Sequence, residues 1–177
     1  YLEQVDHIDA LPGYAQGSFF MQDIGSMQVV ELAGIKPGDA VIDVCAAPGG
    51  KAMHALAKLH GKGSVQARDL TENKVSMIEE NIERCAGAAA AIEVLVWDAR
   101  ILDPQAVEKA DVVIADLPCS GLGVIGRKSD IKYRMTPEQV ADIAALQREI
   151  LSVVWQYVKP GGILMYSTCT LTKAENQ

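Results

Sequence analysis

The sequence predicts a doubly wound α/β fold, in which helices cover both faces of a parallel sheet. Three observations favour it: strand-like runs alternate with helix-like segments, one long helix has clear start and stop signals, and the first strand leads into a loop of small residues. The chain has 177 residues, of which 49% are hydrophobic, and this suits one domain with its own core. We therefore expect one compact domain.

The strand-like runs are short and largely apolar, and turn residues or helix-like segments separate them. They comprise residues 40–45, 64–68, 92–96, 111–115 and 163–167. Parallel strands need crossover connections, which the helix-like segments supply. Residues 1–39 are expected to form a leading segment with one helix over residues 24–33, and residues 40–177 to form the core of the domain.

The clearest helix begins at "TPEQ". Thr136 is its predicted N-cap, Pro137 takes the first helical position and Gln139 completes a capping box. The turn "KPGG", residues 159–162, is expected to end it. Its apolar residues recur with a period of 3.6 and predict one buried face: Val140, Ile143, Ala144, Ile150, Leu151, Val154, Trp155 and Val158.

Two more helices are expected between the strands. Thr71 is the predicted N-cap of a helix that reaches about residue 86, and another helix follows the glycines at 49 and 50 and ends near residue 60. The first of these carries a single apolar stripe: Val75, Ile78 and Ile82.

Charge and composition exclude several classes of protein. The formal net charge of -7 argues against a surface that holds nucleic acid by bulk electrostatics alone. The four cysteines form no CxxC pair, so we expect reduced thiols and neither a metal site nor a disulfide framework. No apolar run approaches the ~18 residues of a membrane span and no signal peptide opens the chain, so a cytoplasmic protein is expected.

The stretch "VIDVCAAPGGK", residues 41–51, reads as a buried strand, a loop of small residues and the start of a helix. In this arrangement the backbone amides at the helix N-terminus face a ligand. A turn that needs small residues only for packing is the alternative.

Acidic residues follow the other strands as well. Asp43, Asp69, Asp98 and Asp116 each stand at a strand end, where they are expected to surround one crevice at the carboxyl edge of the sheet. Such carboxylates suit a cationic cofactor such as S-adenosylmethionine, which has a sulfonium and an amino group, better than a pyrophosphate. Helix caps or solvated loops are the alternative for each acid.

Two cysteines also follow strands at that edge, Cys119 in "DLPCSGLG" and Cys169 in "YSTCT". Carbon 5 of cytosine is a poor nucleophile, so its methylation requires a thiolate to add first at the neighbouring ring carbon. The proline in "DLPC" restricts the residue before it and fixes the turn. Small apolar filling is the alternative for a cysteine, and we assign it to Cys85, whereas Cys45 is expected to line the cofactor site.

The motifs "DVCAAPGGK", "DLPCSGLG" and "YSTCTL" closely resemble, in this order and spacing, those of the RsmB/Sun (Fmu)/Nol/Nop family of RNA cytosine-5 methyltransferases. The resemblance runs from residue 17 to residue 176 and is strongest to the branch that methylates small-subunit (16S) ribosomal RNA. It implies a Rossmann-like, S-adenosylmethionine-dependent methyltransferase sheet. Members of that branch also have an N-terminal helical RNA-binding domain and further strands after the "TC" motif. The sequence is therefore expected to be a catalytic-domain fragment truncated at its C-terminal strands.

The resemblance also implies a role for each site residue. Cys169 would be the nucleophile, Cys119 would assist release of the methylated RNA, and Asp116 would hydrogen-bond the base. Asp69 would hold the cofactor ribose and Asp98 its adenine, and Lys51 is expected either to pair with the methionine carboxylate or to lie at the surface. The implied cofactor contacts are Cys45, Ala46, Ala47, Pro48, Gly49, Gly50, Lys51, Asp69, Asp98 and Asp116.

The segment "GRKSDIKYR", residues 126–134, is a candidate RNA contact because basic residues and an aromatic ring suit a splayed single-stranded base. Its candidate residues are Arg127, Lys128, Lys132, Tyr133 and Arg134. A solvated loop is the alternative. For the whole protein, a monomer that acts on ribosomal RNA is expected, and the rival functions are a small-molecule methyltransferase and a non-catalytic RNA-binding assembly factor.

Overall fold

The computed structural model describes residues 5, 7–86, 91–126 and 130–177, and its centre is a sheet of five parallel strands. The spatial order is β3-β2-β1-β4-β5, so the chain reverses direction across the sheet between β1 and β4. The strands are β1 (Ala40–Asp43), β2 (Ser64–Asp69), β3 (Ile92–Val96), β4 (Ala110–Asp116) and β5 (Val158–Ser167). The predicted doubly wound α/β sheet is confirmed.

Helices cover both faces of this sheet. On one face Val30, Ala52 and Ile78 pack with Val41 and Ile114 of the sheet. On the other face Ile150 and Val154 pack with Ile42 and Val113. The helices are α1 (Ile24–Leu32), α2 (Gly50–Lys58), α3 (Glu72–Cys85), α4 (Ile131–Arg134), α5 (Pro137–Val154) and α6 (Lys173–Asn176).

The predicted helix starts are present as hydrogen bonds. Thr71 Oγ1 accepts from the backbone N–H of Lys74 at the start of α3. Thr136 Oγ1 accepts from the N–H of Gln139, whose side chain accepts in return from the N–H of Thr136 at 2.9 Å. These bonds satisfy backbone donors that have no partner within the helix, and they fix where α3 and α5 begin.

The predicted end of α5 was wrong. The helix stops at Val154, a 3₁₀ turn follows over Trp155–Tyr157, and the "KPGG" segment lies within β5, where pairing with β4 is irregular. A 3₁₀ turn has three residues per turn, so the 3.6-residue period of the apolar face breaks there. Trp155 is consequently 60% exposed, and Tyr157 is the buried aromatic residue.

The leading segment packs onto the core through α1, whose Val30 is fully buried. The division of the chain at residue 39 remains a prediction. Within the described part of the chain, no helix combines the length and the apolar character needed to cross a membrane.

Candidate active site

Two cavities open at the carboxyl edge of the sheet, and Cys45 lines both. The first cavity, of about 180 Å³, contains the glycine-loop residues together with Asp43, Lys51 and Asp116. The second cavity, of about 200 Å³, contains Asp69 and Asp98. The four strand-end aspartates are thus divided between two cavities with a common wall, where the sequence predicted one crevice. The other residues of the second cavity are Val44, Leu70, Lys74, Trp97, Ala99, Arg100, Pro118, Leu146 and Ile150.

The loop between β1 and α2 is held against the end of β2. The backbone N–H of Ala47 donates to Asp69 Oδ2 at 3.0 Å. Gly49 caps α2 with a φ of 104°, a left-handed conformation that favours glycine. These contacts fix the small-residue loop beside the first cavity, which is lined by its residues Ala46, Ala47, Pro48 and Gly50.

Asp43 at the end of β1 is 1% exposed, and neither carboxylate oxygen has a hydrogen-bond partner among the described residues. Burial, reinforced by the charge of Asp116, raises the pKa of Asp43 to about 7. A buried carboxyl without a partner that borders a cavity suits a ligand with a cationic or hydrogen-bond-donating group.

The other strand-end acids are paired with cations. Asp69 Oδ1 lies 2.9 Å from Lys74 Nζ and also accepts from the backbone N–H of Leu70. Asp98 accepts three side-chain hydrogen bonds from Arg100, the shortest at 2.6 Å, and this hydrogen bonding lowers the pKa of Asp98. Both acids line the second cavity with their cations beside them.

Asp116 at the end of β4 connects the cofactor loop with the thiols. Its Oδ2 accepts from Lys51 Nζ at 2.5 Å, and its Oδ1 accepts from Ser167 Oγ at 2.7 Å. Lys51 is 14% exposed in its side chain and is therefore not a surface lysine, and its partner in the structure is Asp116. This pairing joins residues that are 65 positions apart in the sequence.

The sulfur atoms of Cys119 and Cys169 lie 2.7 Å apart. The backbone N–H of Cys169 also donates to Cys119 Sγ at 3.1 Å. Hydrogen bonding from Cys169 and from the N–H of Gly121 lowers the pKa of Cys119 to about 6, and the same pairing raises the pKa of Cys169. The catalytic roles of the two thiols remain predictions.

The local sequence explains why the thiols meet. The N–H of Leu117 donates to the carbonyl of Ser167 and extends the β4–β5 pairing by one residue toward the cysteines. The N–H of Gly123 donates to the carbonyl of Cys169, and a Cβ at position 123 would stand only 2.8 Å from that oxygen. The glycine therefore allows the two cysteine turns to approach closely.

Sequence reasoning missed the polar residues behind the thiols. Glu175, Ser120 and Gln147 are all buried, and both Ser120 and Gln147 donate hydrogen bonds to Glu175. Their signal was weak, because serine and glutamine are common surface residues and only the "AEN" stretch was noticed as part of the resemblance. The role of Cys45 as a cofactor-lining residue remains a prediction, as does the packing role assigned to Cys85. Burial raises the pKa of Cys45 to about 12, and Cys85 packs against the core near Phe19.

The candidate RNA contacts are only partly described. Arg127 and Lys128 lie outside the described residues. The backbone of Lys132 and Arg134 is helical and forms part of α4. Tyr133 on the same helix is 80% exposed. These five positions stay predictions.

Comparison with known proteins gives consistent matches. The family profile described as "16S rRNA methyltransferase RsmB/F" matches residues 30–177. The chain belongs to the RsmB/F family. It is 38% identical to ribosomal RNA small subunit methyltransferase B of Vibrio cholerae over 99% of the chain, and 34% identical to the probable counterpart of Synechocystis over 96%.

A solved structure is also similar to this RsmB/F chain. NSun6 from Pyrococcus horikoshii, whose crystal structure was determined with SFG, superposes with a TM-score of 0.87 at 32% identity, covering 97% of this chain and 43% of that one. The chain spans about two fifths of the length of its curated relatives, 40% of the Vibrio cholerae protein and 38% of the Synechocystis protein.

Proposed function

We propose that this site transfers a methyl group from S-adenosylmethionine to carbon 5 of a cytosine in 16S ribosomal RNA, through a covalent adduct with Cys169. The observation that carries the proposal is the pair of free thiols 2.7 Å apart, which follow the adjacent ends of β4 and β5. Asp116 is the last residue of β4. A small-molecule methyltransferase has no need of this thiol pair. Membership of the RsmB/F family supports ribosomal RNA as the substrate.

S-adenosylmethionine is the cofactor, and the residues present fit it. The buried, unpartnered Asp43 offers acceptors toward a cationic amino-acid group in the first cavity. The second cavity has apolar walls that suit adenine, with Asp98 at its rim for the ring and Asp69 for ribose hydroxyls. When bound, this cofactor supplies an electrophilic methyl group.

Cys169 is the more exposed thiol and is suited to meet an incoming base. Its sulfur adds to carbon 6 of the cytosine, and its proton passes to the sulfur of Cys119, which lies within hydrogen-bond distance. The addition breaks the double bond between carbons 5 and 6 and makes carbon 5 an enamine nucleophile. This route explains why a nucleophile with a raised pKa is usable: its base is already in place.

Asp116 takes up a proton from solvent as the base enters and stabilises the adduct by donating that proton to ring nitrogen 3, and Lys51 and Ser167 hold its carboxyl group in place. Cys119 releases the proton that it gained to solvent while the adduct persists. After carbon 5 has been methylated, Cys119 takes the proton from that carbon, nitrogen 3 returns its proton to Asp116, and the bond between carbon 6 and Cys169 breaks. Cys169 leaves as a thiolate and regains its proton from Cys119. The net products are 5-methylcytosine and one proton in addition to the spent cofactor.

One observation favours the opposite assignment. The lowered pKa of Cys119 makes it the better thiolate in the ground state, and a mechanism in which Cys119 attacks carbon 6 would use that charge directly. The two assignments differ in which cysteine forms the bond to RNA.

The test uses the natural full-length protein, 16S ribosomal RNA and methyl-labelled S-adenosylmethionine. We expect Cys169→Ala to abolish 5-methylcytosine formation, and Cys119→Ala to accumulate a protein–RNA adduct that survives denaturation. Cys85→Ala, which alters a thiol outside the site, is the matched control and should behave as the parent protein.

Other outcomes would count against the proposal in distinct ways. An adduct that forms in Cys169→Ala and is lost in Cys119→Ala would reverse the roles of the thiols. Full activity in both variants would exclude covalent catalysis and favour a different acceptor. Cofactor binding without turnover by the parent protein would favour an assembly factor.

A further inference from the structure

Glu175 on α6 is a buried carboxylate directly behind the two cysteine turns. It is 4% exposed, and four hydrogen-bond donors surround it. Its Oε1 accepts from Ser120 Oγ at 2.5 Å and from Thr172 Oγ1 at 2.7 Å. Its Oε2 accepts from the backbone N–H of Ser120 at 2.9 Å and from Gln147 Nε2 at 3.0 Å.

These bonds hold the turn that carries Cys119 on both sides of the cysteine. Ser120 follows Cys119 and contacts Glu175 through its backbone and its side chain. Pro118 precedes it, and the carbonyl of Pro118 accepts from Gln147 Nε2 at 2.8 Å. Gln147 therefore connects the front of this turn to the same carboxylate.

The turn that carries Cys169 is held by the same group. Ser120 Oγ lies 2.9 Å from Thr170 Oγ1, one residue after Cys169, and Thr172 contacts Glu175 directly. The hydroxyl of Tyr166 donates to the backbone carbonyl of Glu175 at 2.5 Å, which fixes α6 against β5. One side chain thus joins the segments on which both sulfur atoms depend.

The four donors are all neutral, and among the described residues no lysine, arginine or histidine pairs with Glu175. Removing a buried carboxylate from water is costly, and neutral hydrogen bonds offset that cost only when their geometry is good. The negative charge also acts on the site, because it opposes the lowering of the Cys119 pKa that hydrogen bonding from Cys169 causes.

We propose that Glu175 is a positioning residue of the thiol pair, which sets the separation of Cys119 and Cys169 and, through its charge, the sharing of the proton between them. Glu175 is called a positioning residue because it contacts neither cysteine sulfur in the structure. The inference rests on the proposed function, which it deepens. The alternative is that Glu175 only anchors α6 to the domain.

Glu175→Gln separates these two explanations. The glutamine oxygen can take the place of Oε2, and its amide nitrogen can donate to the hydroxyls of Ser120 and Thr172, which rotate to accept. The network is then preserved and only the charge is lost, so the protein should fold. Loss of a neighbouring negative charge lowers the pKa of Cys119, so thiol reactivity should move to lower pH.

The experiment measures iodoacetamide alkylation of each cysteine against pH by peptide mass spectrometry, together with methyl transfer to 16S ribosomal RNA, in the full-length protein. For Glu175→Gln we expect the Cys119 profile to move to lower pH and kcat to fall about tenfold, which is about 1.4 kcal/mol, with the Kd of S-adenosylmethionine unchanged. Glu79→Gln removes an exposed glutamate on α3 and is the matched control.

An unchanged alkylation profile with parental kcat in Glu175→Gln would overturn the inference and leave Glu175 as an anchor of α6. If that variant does not fold, Thr172→Val removes one donor at the edge of the network, and an unchanged kcat and profile there would overturn it equally. Alkylation needs no RNA turnover. A parent protein that methylates no RNA therefore refutes the proposed function, while the pH shift still tests Glu175.

Discussion

The cofactor side and the thiol side of the site are built from different chemistry. On the cofactor side, acids at the ends of β2 and β3 are paired with cations, as in Asp69 with Lys74 and Asp98 with Arg100. On the thiol side, the donors to the buried Glu175 among the described residues are all neutral, and each thiol has the other as a partner. Asp116 lies between the two sides and bonds to a residue of each, Lys51 and Ser167.

This difference suits two tasks. Partly exposed ion pairs can separate to admit a ligand at a small cost in free energy, because solvent screens their charges and hydrates them once they are apart. A buried network of neutral hydrogen bonds resists displacement, since each lost bond leaves a polar group without a partner. The cofactor side is therefore arranged for exchange of a ligand, and the thiol side for fixed geometry.

Asp43 is the exception on the cofactor side, because it is buried and neither of its carboxylate oxygens has a hydrogen-bond partner among the described residues, and it gives the largest expected effect. Its pKa of about 7 lies above the ordinary value of 3.8. Between these pH values the folded protein retains a proton that the unfolded chain has lost, so the free energy of unfolding should fall as pH rises and level off above about pH 7. The full fall from this group is about 4 kcal/mol.

Asp43→Asn should remove this fall and flatten the profile. Urea unfolding at several pH values between 4 and 8 measures it, with Asp142→Asn, an exposed position on α5, as the control that keeps the parental slope. If the free energy of unfolding still fell with rising pH in Asp43→Asn, Asp43 would be ionised in the folded protein. It would then resemble the other acids of the cofactor side.

Much of this arrangement followed from the sequence. Alternating strand and helix patterns predicted the parallel sheet, and the carboxyl ends of parallel strands meet at one edge. Asp116, Cys119 and Cys169 follow the adjacent strands β4 and β5 and were expected near one another for that reason. Cap residues such as Thr136 could also be predicted from the sequence, because their hydrogen bonds span only three positions.

The remainder depended on contacts that local patterns do not encode. Lys51 contacts Asp116 because β1 and β4 are neighbours where the strand order reverses. The local sequence, a lysine after two glycines, does not predict that contact. Glu175 gathers donors from positions 120, 147 and 172, which only the folded chain brings together. The exposure of Trp155 followed from a change of helix type that apolar periodicity does not reveal.

Lys51→Met tests the junction between the two sides. Asp116 would keep only its bond to Ser167, and its carboxylate, 34% exposed in its side chain, would no longer be fixed toward the base. We expect kcat to fall about 10²-fold, within the range for a displaced acid–base group. Methyl transfer under saturating RNA and cofactor measures the change.

Lys58→Met is the control for that change, because it removes a partly exposed lysine from the same helix and breaks its pair with Glu31, which lies outside the candidate site. Equal losses in the two variants would show that a general change in charge is responsible. A parental kcat in Lys51→Met would mean that Ser167 alone suffices to orient Asp116.

Lys74→Met gives the smallest expected effect and tests whether pairs on the cofactor side are dispensable. Lys74 is 47% exposed in its side chain, and Asp69 retains backbone donors from Ala47 and Leu70 after the lysine is lost. The free energy of unfolding should fall by less than about 1 kcal/mol, as for other half-exposed pairs. Urea unfolding measures it, with the exposed Lys62→Met as control. A loss of several kcal/mol would mean that Asp69 depends on its cation as a buried ion does, and the cofactor side would then be as rigid as the thiol side.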